Sequence, residues 1–324
     1  MKKSLIALAA LAAVSAASAQ STVTLYGVVD GGYAYNGTNT TFVGKGVTST
    51  PRIGFKGEED LGGGLKALFV VETGLNSGKE TATSIGDRGA FVGLAGSFGT
   101  VTMGSSQLNP SYYASAATNA VGADNYGQIK YAAGTPRNDN SVIYMSPKLF
   151  GGLVLRGAMV QKADNGNSAA SDISAIYVNG PLTLAASAAD NGFDKGTHVG
   201  AAYNFGMFTV FASAIESAGS AGKNRVADST TTVGGALVTV PGSAAVAPTA
   251  SFKYTNVGIS APVGAALVLS ADYEQAKNQA LNTDINTYMM SAKYSLSKRT
   301  TLTAYTKKAE KADTTFGFGV RHTF

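Results

Sequence analysis

Apolar and polar residues take turns along most of this chain. In "TVTLYGVVDGGYAY", Val23, Leu25, Gly27, Val29, Gly31 and Tyr33 share one face, and Thr24, Tyr26, Val28 and Asp30 share the other. "RIGFKG" sets Ile53 and Phe55 against Arg52 and Lys56. "GLKALFVVET" sets Leu65, Ala67, Phe69 and Val71 against Lys66 and Glu72. "GLVLRGAMVQK" sets Leu153, Leu155 and Met159 against Arg156 and Lys162, and "AALVLSADYEQAK" sets Leu267, Leu269 and Tyr273 against Asp272 and Glu274. Period two over such lengths predicts β-strands with one apolar and one polar face. The final residues keep the pattern, with Phe316, Phe318, Val320, His322 and Phe324 on one parity.

The breaks between strands alternate in kind. Short, turn-like segments fall near 60–64, 97–99, 148–151, 180–181, 205–206, 261–264 and 296–298. Longer, more polar ones fall near 36–48, 76–86, 107–139, 163–169, 190–194, 217–249, 278–284 and 308–312. Short turns at one end and long loops at the other describe a transmembrane barrel, and the count is about sixteen antiparallel strands. Residues 217–249 are long for a loop, and a small hairpin there, or a hidden strand pair that changes the count, stays open.

Composition sharpens this reading. Charged residues make up only 14% of the chain, and Gly contributes 40 of 324 residues. A soluble β-sandwich would also alternate, but it needs more surface charge than this. The first residues carry Lys2 and Lys3, then an apolar run from Leu5 to Val14, then Ala17-Ser18-Ala19. That three-part pattern predicts a secretory signal peptide over 1–19, with the barrel over 20–324. Its removal takes away two lysines, so the formal charge of +5 falls by two. The chain has no cysteine, so an exported product holds together without disulfides. In hydrocarbon an unpaired sheet edge costs several kcal/mol per backbone group, so the sheet must close and "DTTFGFGVRHTF" should pair with "STVTLYGVVD".

Several stretches together resemble a known family. "TVTLYGVVD", "RIGFKGEEDLGGGLKALFVVETG", "DRGAFVGLAGSFGTVTMG", "NSVIYMSP", "YSLSKRTTL" and "FGFGVRHTF" are similar to the general-diffusion porins of Gram-negative bacteria, of the beta-proteobacterial and neisserial type. The resemblance implies an outer-membrane homotrimer of 16-stranded barrels, each with a water-filled pore. It implies a third loop, here about 107–139, that folds inward to narrow the pore. It also implies that Phe324 stands where the barrel-assembly machinery reads the chain end, and that small hydrophilic solutes and ions are the cargo.

Alternation projects Arg52, Lys56, Lys66, Glu72 and Arg156 into the lumen. The parity of "DRGAFVGLA" is mixed, and placing Phe91 against lipid leaves Ala90, Val92 and Leu94 packed behind the inward loop. By motif, Arg52, Arg88 and Arg137 correspond to a cationic wall opposite the loop, with Asp124 facing it across the eyelet. Fixed charges in a narrow, low-dielectric passage sort ions, so mild anion preference is expected. Relatives often carry an arginine after "GTVT(L/M)G"; here Ser105 and Ser106 follow, which weakens that preference. Each arginine has an alternative role as a solvated lumen charge or as a rim contact to lipopolysaccharide. Lys45, Lys79, Lys223 and Arg225, in long loops, are either lipopolysaccharide contacts or plain solvated cations.

Other functions find less support. A hydrolase needs a placed nucleophile and base. The two histidines, His198 and His322, stand apart, and there is no G-x-S-x-G elbow. No cofactor, metal or nucleic-acid partner is expected. A sugar- or amino-acid-specific channel is the stronger alternative, with Tyr112, Tyr113, Tyr126 and Tyr131 in the third loop, although tryptophan is absent. A closed barrel serving as an adhesin or receptor is the weakest.

Overall fold

The computed structural model describes residues 22–75, 84–121, 136–161, 169–190, 194–219, 229–233, 236–240, 251–278, 283–310 and 312–324. Sixteen strands form the wall: β1 Thr22–Tyr35, β2 Arg52–Gly62, β3 Leu65–Gly74, β4 Gly89–Gly96, β5 Gly99–Ser105, β6 Ser141–Met145, β7 Leu153–Val160, β8 Ala170–Asn179, β9 Leu182–Asp190, β10 Asp194–Asn204, β11 Thr209–Gly219, β12 Phe252–Val263, β13 Leu267–Asn278, β14 Thr283–Ser295, β15 Thr300–Ala309 and β16 Thr315–Thr323. Every neighbouring pair is antiparallel, and β16 returns to β1 in the register Val28↔Thr323 through Tyr35↔Phe316. Phe324 and Gly27 then exchange both backbone hydrogen bonds at 3.1 Å. The lower half of β1 pairs with β2 instead, from Thr22↔Glu58 to Val28↔Arg52. The ring is therefore sealed, as a lipid-facing sheet requires. Among the described residues, no helix is long and apolar enough to cross a membrane.

Period two is honoured in the wall. Val23, Leu25, Val29, Tyr33, Phe55, Phe69, Phe316, Phe318 and Val320 are exposed on the outside, while Val28 and Asp30 of β1 are buried inside. Tyr33, Phe42 and Phe318 cluster toward the long-loop end, and Tyr203, Phe205 and Phe208 at a short turn, as aromatic girdles do. The turn between β2 and β3 is made possible by glycine: Gly62, Gly63 and Gly64 all have positive φ, at 85°, 61° and 80°. The 217–249 question has a definite answer in the backbone. Ser229–Val233 and Ala236–Val240 pair with each other as a separate two-stranded sheet, so the wall count stays at sixteen.

One orientation is corrected. Phe91 points inward and lines an internal cavity, whereas Val92 and Leu94 face outward with 58% and 44% exposure. The reason is register: Val92 lies opposite Phe69 and Met103, both on the outer face. Arg88 still points inward despite sharing parity with Val92. It precedes the strand, in a turn where Gly86 has φ +83°, and parity does not carry through a turn.

The first long loop also folds inward, which the sequence reading did not anticipate. Asp30, 1% exposed, accepts hydrogen bonds from the backbone N–H of Val47 (2.7 Å), Thr48 (3.0 Å) and Ser49 (2.8 Å), and from Thr48 Oγ1 (2.5 Å). Val47 packs with Val121 of the third loop and Met289 of β14, so two loops meet inside the barrel. A buried donor left unsatisfied costs about 1–3 kcal/mol. Asp30→Ala is therefore expected to lower the temperature at which the folded barrel loses its compact migration on gels, whereas an outer-face change such as Val29→Ala should leave it nearly unmoved.

Candidate functional site

The third loop leaves β5 and returns to β6. A two-residue ladder, Gln107–Leu108 with Arg137–Asn138, ties its two ends together. Asp139 Oδ1 accepts from Ser106 N at 2.9 Å and from Ser106 Oγ at 3.1 Å, and closes the same knot. Helix α1, Pro110–Ala117, begins where Asn109 caps it by accepting from Tyr112 N at 2.9 Å, with Pro at the start of the helix.

The helix lies on the inner wall of β8, β9 and β10. Asp172 of β8 accepts from Ser111 N (3.0 Å) and Ser111 Oγ (2.6 Å). Thr118 Oγ1 meets His198 Nε2 of β10 at 3.2 Å. Close approach is possible because the wall is bare there: a Cβ at Gly200 would strike Thr118, and one at Gly258 would strike Ala120. The described part of the loop thus lies against the β8–β12 side.

The β1–β4 part of the wall carries a cluster of like charges around one carboxylate. Glu72 of β3 meets Arg88 Nε at 2.9 Å, Arg52 Nε at 3.6 Å and Arg137 Nη2 at 3.8 Å, and accepts from Tyr26 OH at 3.0 Å. Arg137 also donates to the carbonyl oxygens of Ser106 (2.7 Å) and Arg88. Burial and the neighbouring Arg88 charge pull the Arg137 guanidinium below its ordinary value, yet an arginine stays charged at neutral pH. Burial pushes the Tyr112 and Tyr113 phenols of α1 upward, so the loop tyrosines are neutral there. Three guanidiniums against one carboxylate leave a surplus of two positive charges.

The sequence-selected residues separate into groups. Arg52, Arg88, Arg137 and Glu72 come together. Lys56 sits next along the same face of β2, with its Nζ 5.5 Å from the Tyr26 ring centre. Arg156 is apart, stacked over Tyr113 at 4.5 Å, across a cavity of about 260 Å³ that Arg88, Phe91 and Gln107 also line. Lys66 pairs with Glu58 near the short-turn end and is not part of the cluster. Asp124, Tyr126 and Tyr131 lie outside the described residues, as do Lys79, Lys223 and Arg225. Missed at the sequence level were Tyr26, Asp30, Asp172 and Arg321; all four stand on the polar parity of their strands, the one signal that could have found them. Arg321 lies close enough for its charge to act on Arg52.

A sealed sixteen-stranded ring with an inward loop and a charged lumen has a recognisable sequence profile. That of the Gram-negative porins matches residues 7–314. The chain belongs to the Gram-negative porin family. An outer membrane porin protein of Bordetella pertussis is 30% identical to this porin over 387 aligned positions, covering 100% of both chains. Outer membrane porin protein 32 of Delftia acidovorans is 39% identical over 153 residues, 44% of this chain and 43% of the relative. Among solved structures, the anion-selective porin from Comamonas acidovorans superposes with a TM-score of 0.76 at 23% identity, covering 94% of this porin and 100% of that chain. An in-vitro folded outer membrane protein of Vibrio cholerae in its trimer form gives 0.67 at 14% identity, covering 94% and 99%. This porin is an outer-membrane channel for general diffusion, and its family consists of channels rather than enzymes.

Proposed function

We propose that this porin passes small hydrophilic solutes and ions with a mild preference for anions, set by Arg52, Arg88 and Arg137 with Lys56 beside them and Asp124 opposing. The observation that carries this reading is Glu72 shared among three guanidiniums, which leaves net positive charge within that group on the inner face of β2–β4. The similarity in fold to the anion-selective porin from Comamonas acidovorans supports it. Ser105 and Ser106, in place of a further arginine, keep the preference mild. In a planar bilayer with a potassium chloride gradient, the zero-current potential should carry the anion sign, and Glu72→Gln should enlarge it. A cation-signed potential in the parent protein would defeat the proposal.

Linear, non-saturating conductance is expected of general diffusion. The face of Tyr113 is covered by Arg156, which removes one surface on which a sugar could stack. Conductance that saturates and is blocked by a sugar or amino acid would favour the substrate-specific alternative. Assays of lipolysis and proteolysis on the purified protein should be blank.

The reading extends to assembly. Residues 1–19 are a cleaved signal peptide, the working unit is a homotrimer, and Phe324 engages the barrel-assembly machinery. Phe324→Ala should reduce insertion into the outer membrane of cells and leave refolding into detergent unchanged; equal insertion of both proteins would contradict the Phe324 role.

A further inference from the structure

The chain between β1 and β2 holds more residues than the sheet can use. Thr40–Phe42 pairs with the end of β1, from Tyr35↔Thr40 to Tyr33↔Phe42, and Val43 N donates to Gly32 O at 2.7 Å. Pairing resumes only at Val28↔Arg52. Residues 44–51 therefore stand opposite residues 29–31, eight against three. The surplus must leave the wall on one side. Outside lies hydrocarbon, where its backbone groups would find no partners. It goes inward, and Asp30 receives it: the two carboxylate oxygens take the N–H groups of Val47, Thr48 and Ser49 and the Thr48 hydroxyl.

The surrounding chain is shaped for this bulge. Gly46 has φ +85°, and a Cβ there would stand 2.0 Å from the Ser49 carbonyl oxygen, so the turn requires glycine. On β16, a Cβ at Gly319 would stand 2.7 Å from the Val47 side chain. Val47 passes over that bare position to meet Met289 of β14 and Val121 of the third loop, and all three are 2% exposed. Val43 and Tyr305 of β15 pack against them. Water is excluded from this contact, so the two loops are joined to each other inside the lumen. The bulge sits at the height of the arginine group. Asp30 lies two residues beyond Val28, the cross-strand partner of Arg52, and Arg52 Nη1 donates to Thr50 O at 3.3 Å.

We propose that this bulge, residues 43–51, is a second constriction element, which sets with the third loop the largest solute the channel passes. Asp30 is its positioning residue. Helix α1 lies on β8–β10, Ala120 reaches Gly258 of β12, and Val121 reaches β14. The bulge continues from there across β16 to β1. Two segments joined at Val47 and Val121 thus take cross-section from the lumen, and moving either one changes the space that is left. The inference rests on the reading of the chain as a diffusion channel. It does not depend on which ions that channel favours, so its test uses uncharged solutes.

Full-length protein refolded in detergent should be inserted into planar bilayers, and single-channel conductance measured with neutral polyethylene glycols of increasing size in the bath. Polymers that enter the pore lower the conductance, and excluded ones do not. Asp30→Ala should admit polymers that the parent excludes. It should also raise severalfold the liposome-swelling rate for a trisaccharide relative to a monosaccharide. Asp30→Asn has one acceptor oxygen in place of two and should fall between. Thr48→Val removes one of the four donors and should give a smaller shift of the same sign. Val29→Ala, on the outer face, should match the parent. Should Asp30→Ala fail to fold, Gly46→Ala disrupts the turn and Val47→Ala opens the contact with Val121, and each should raise the cut-off. A parent without conductance would defeat the channel reading and this inference with it. A conducting parent whose folded variants keep or lower its cut-off would overturn the inference alone.

Discussion

Glutamate in place of both Arg52 and Arg88 will reverse the sign of the zero-current potential in a potassium chloride gradient. Within this group of described residues the parent has three guanidiniums and one carboxylate, a surplus of two positive charges; the double variant has three carboxylates and Arg137, a surplus of two negative charges. A unit charge about 4 Å from a passing ion contributes about 1 kcal/mol in bulk water and about 4 kcal/mol at an effective dielectric of 20. About 1.4 kcal/mol is a factor of ten. Even the lower figure, taken over a swing of four charges, moves the permeability ratio by more than about tenfold. The single variants should fall between. A double variant that keeps the parent's sign would show that ions are sorted elsewhere in the lumen.

The second large effect concerns the loop that makes the passage narrow. Asp172→Ala will raise open-channel current noise several-fold and broaden the distribution of single-channel conductances. Asp172 is 4% exposed and accepts from both the backbone and the hydroxyl of Ser111, at the first turn of α1. Hydrogen bonds to a charged group contribute about 1.5–3 kcal/mol each. Losing two therefore raises the population of undocked helix about a hundredfold or more. Asp172→Asn keeps an acceptor and should lie between parent and Ala. Noise and conductance identical to the parent in a folded Asp172→Ala protein would mean that Thr118–His198 and the packed wall hold the loop alone.

Why some of this could be read from the residues and some could not follows from how each feature arises. Lumen placement of Arg52, Lys56, Glu72 and Arg156 was legible because each belongs to a strand whose side chains must alternate. Arg88 was harder. It stands one residue before β4, and with Val92 and Leu94 facing outward the alternation of that strand does not account for its inward side chain. Phe91 was misread because both parities of that strand carry apolar residues, so the pattern gives no sign of which one faces oil. Register against β3 and β5 decides it, and register is a property of three strands together.

Distance along the chain hid the rest. Arg137 reaches the cluster only because the ends of a long loop are laced together at Gln107–Leu108 and Arg137–Asn138. Nothing local to Asp30 or Asp172 says that each accepts from a loop that folds back onto it.

The residue pattern by itself determined a closed, lipid-facing ring and the faces of its long strands, because oil outside, water inside and the two-residue period of a strand leave few other arrangements. Only the tertiary structure decided which part of the wall the helix of the third loop lies on, which arginines share one carboxylate, and that the first loop as well as the third turns inward. Those outcomes depend on hydrogen bonds and close packing between segments far apart in sequence, for which the local alternation carries no signal.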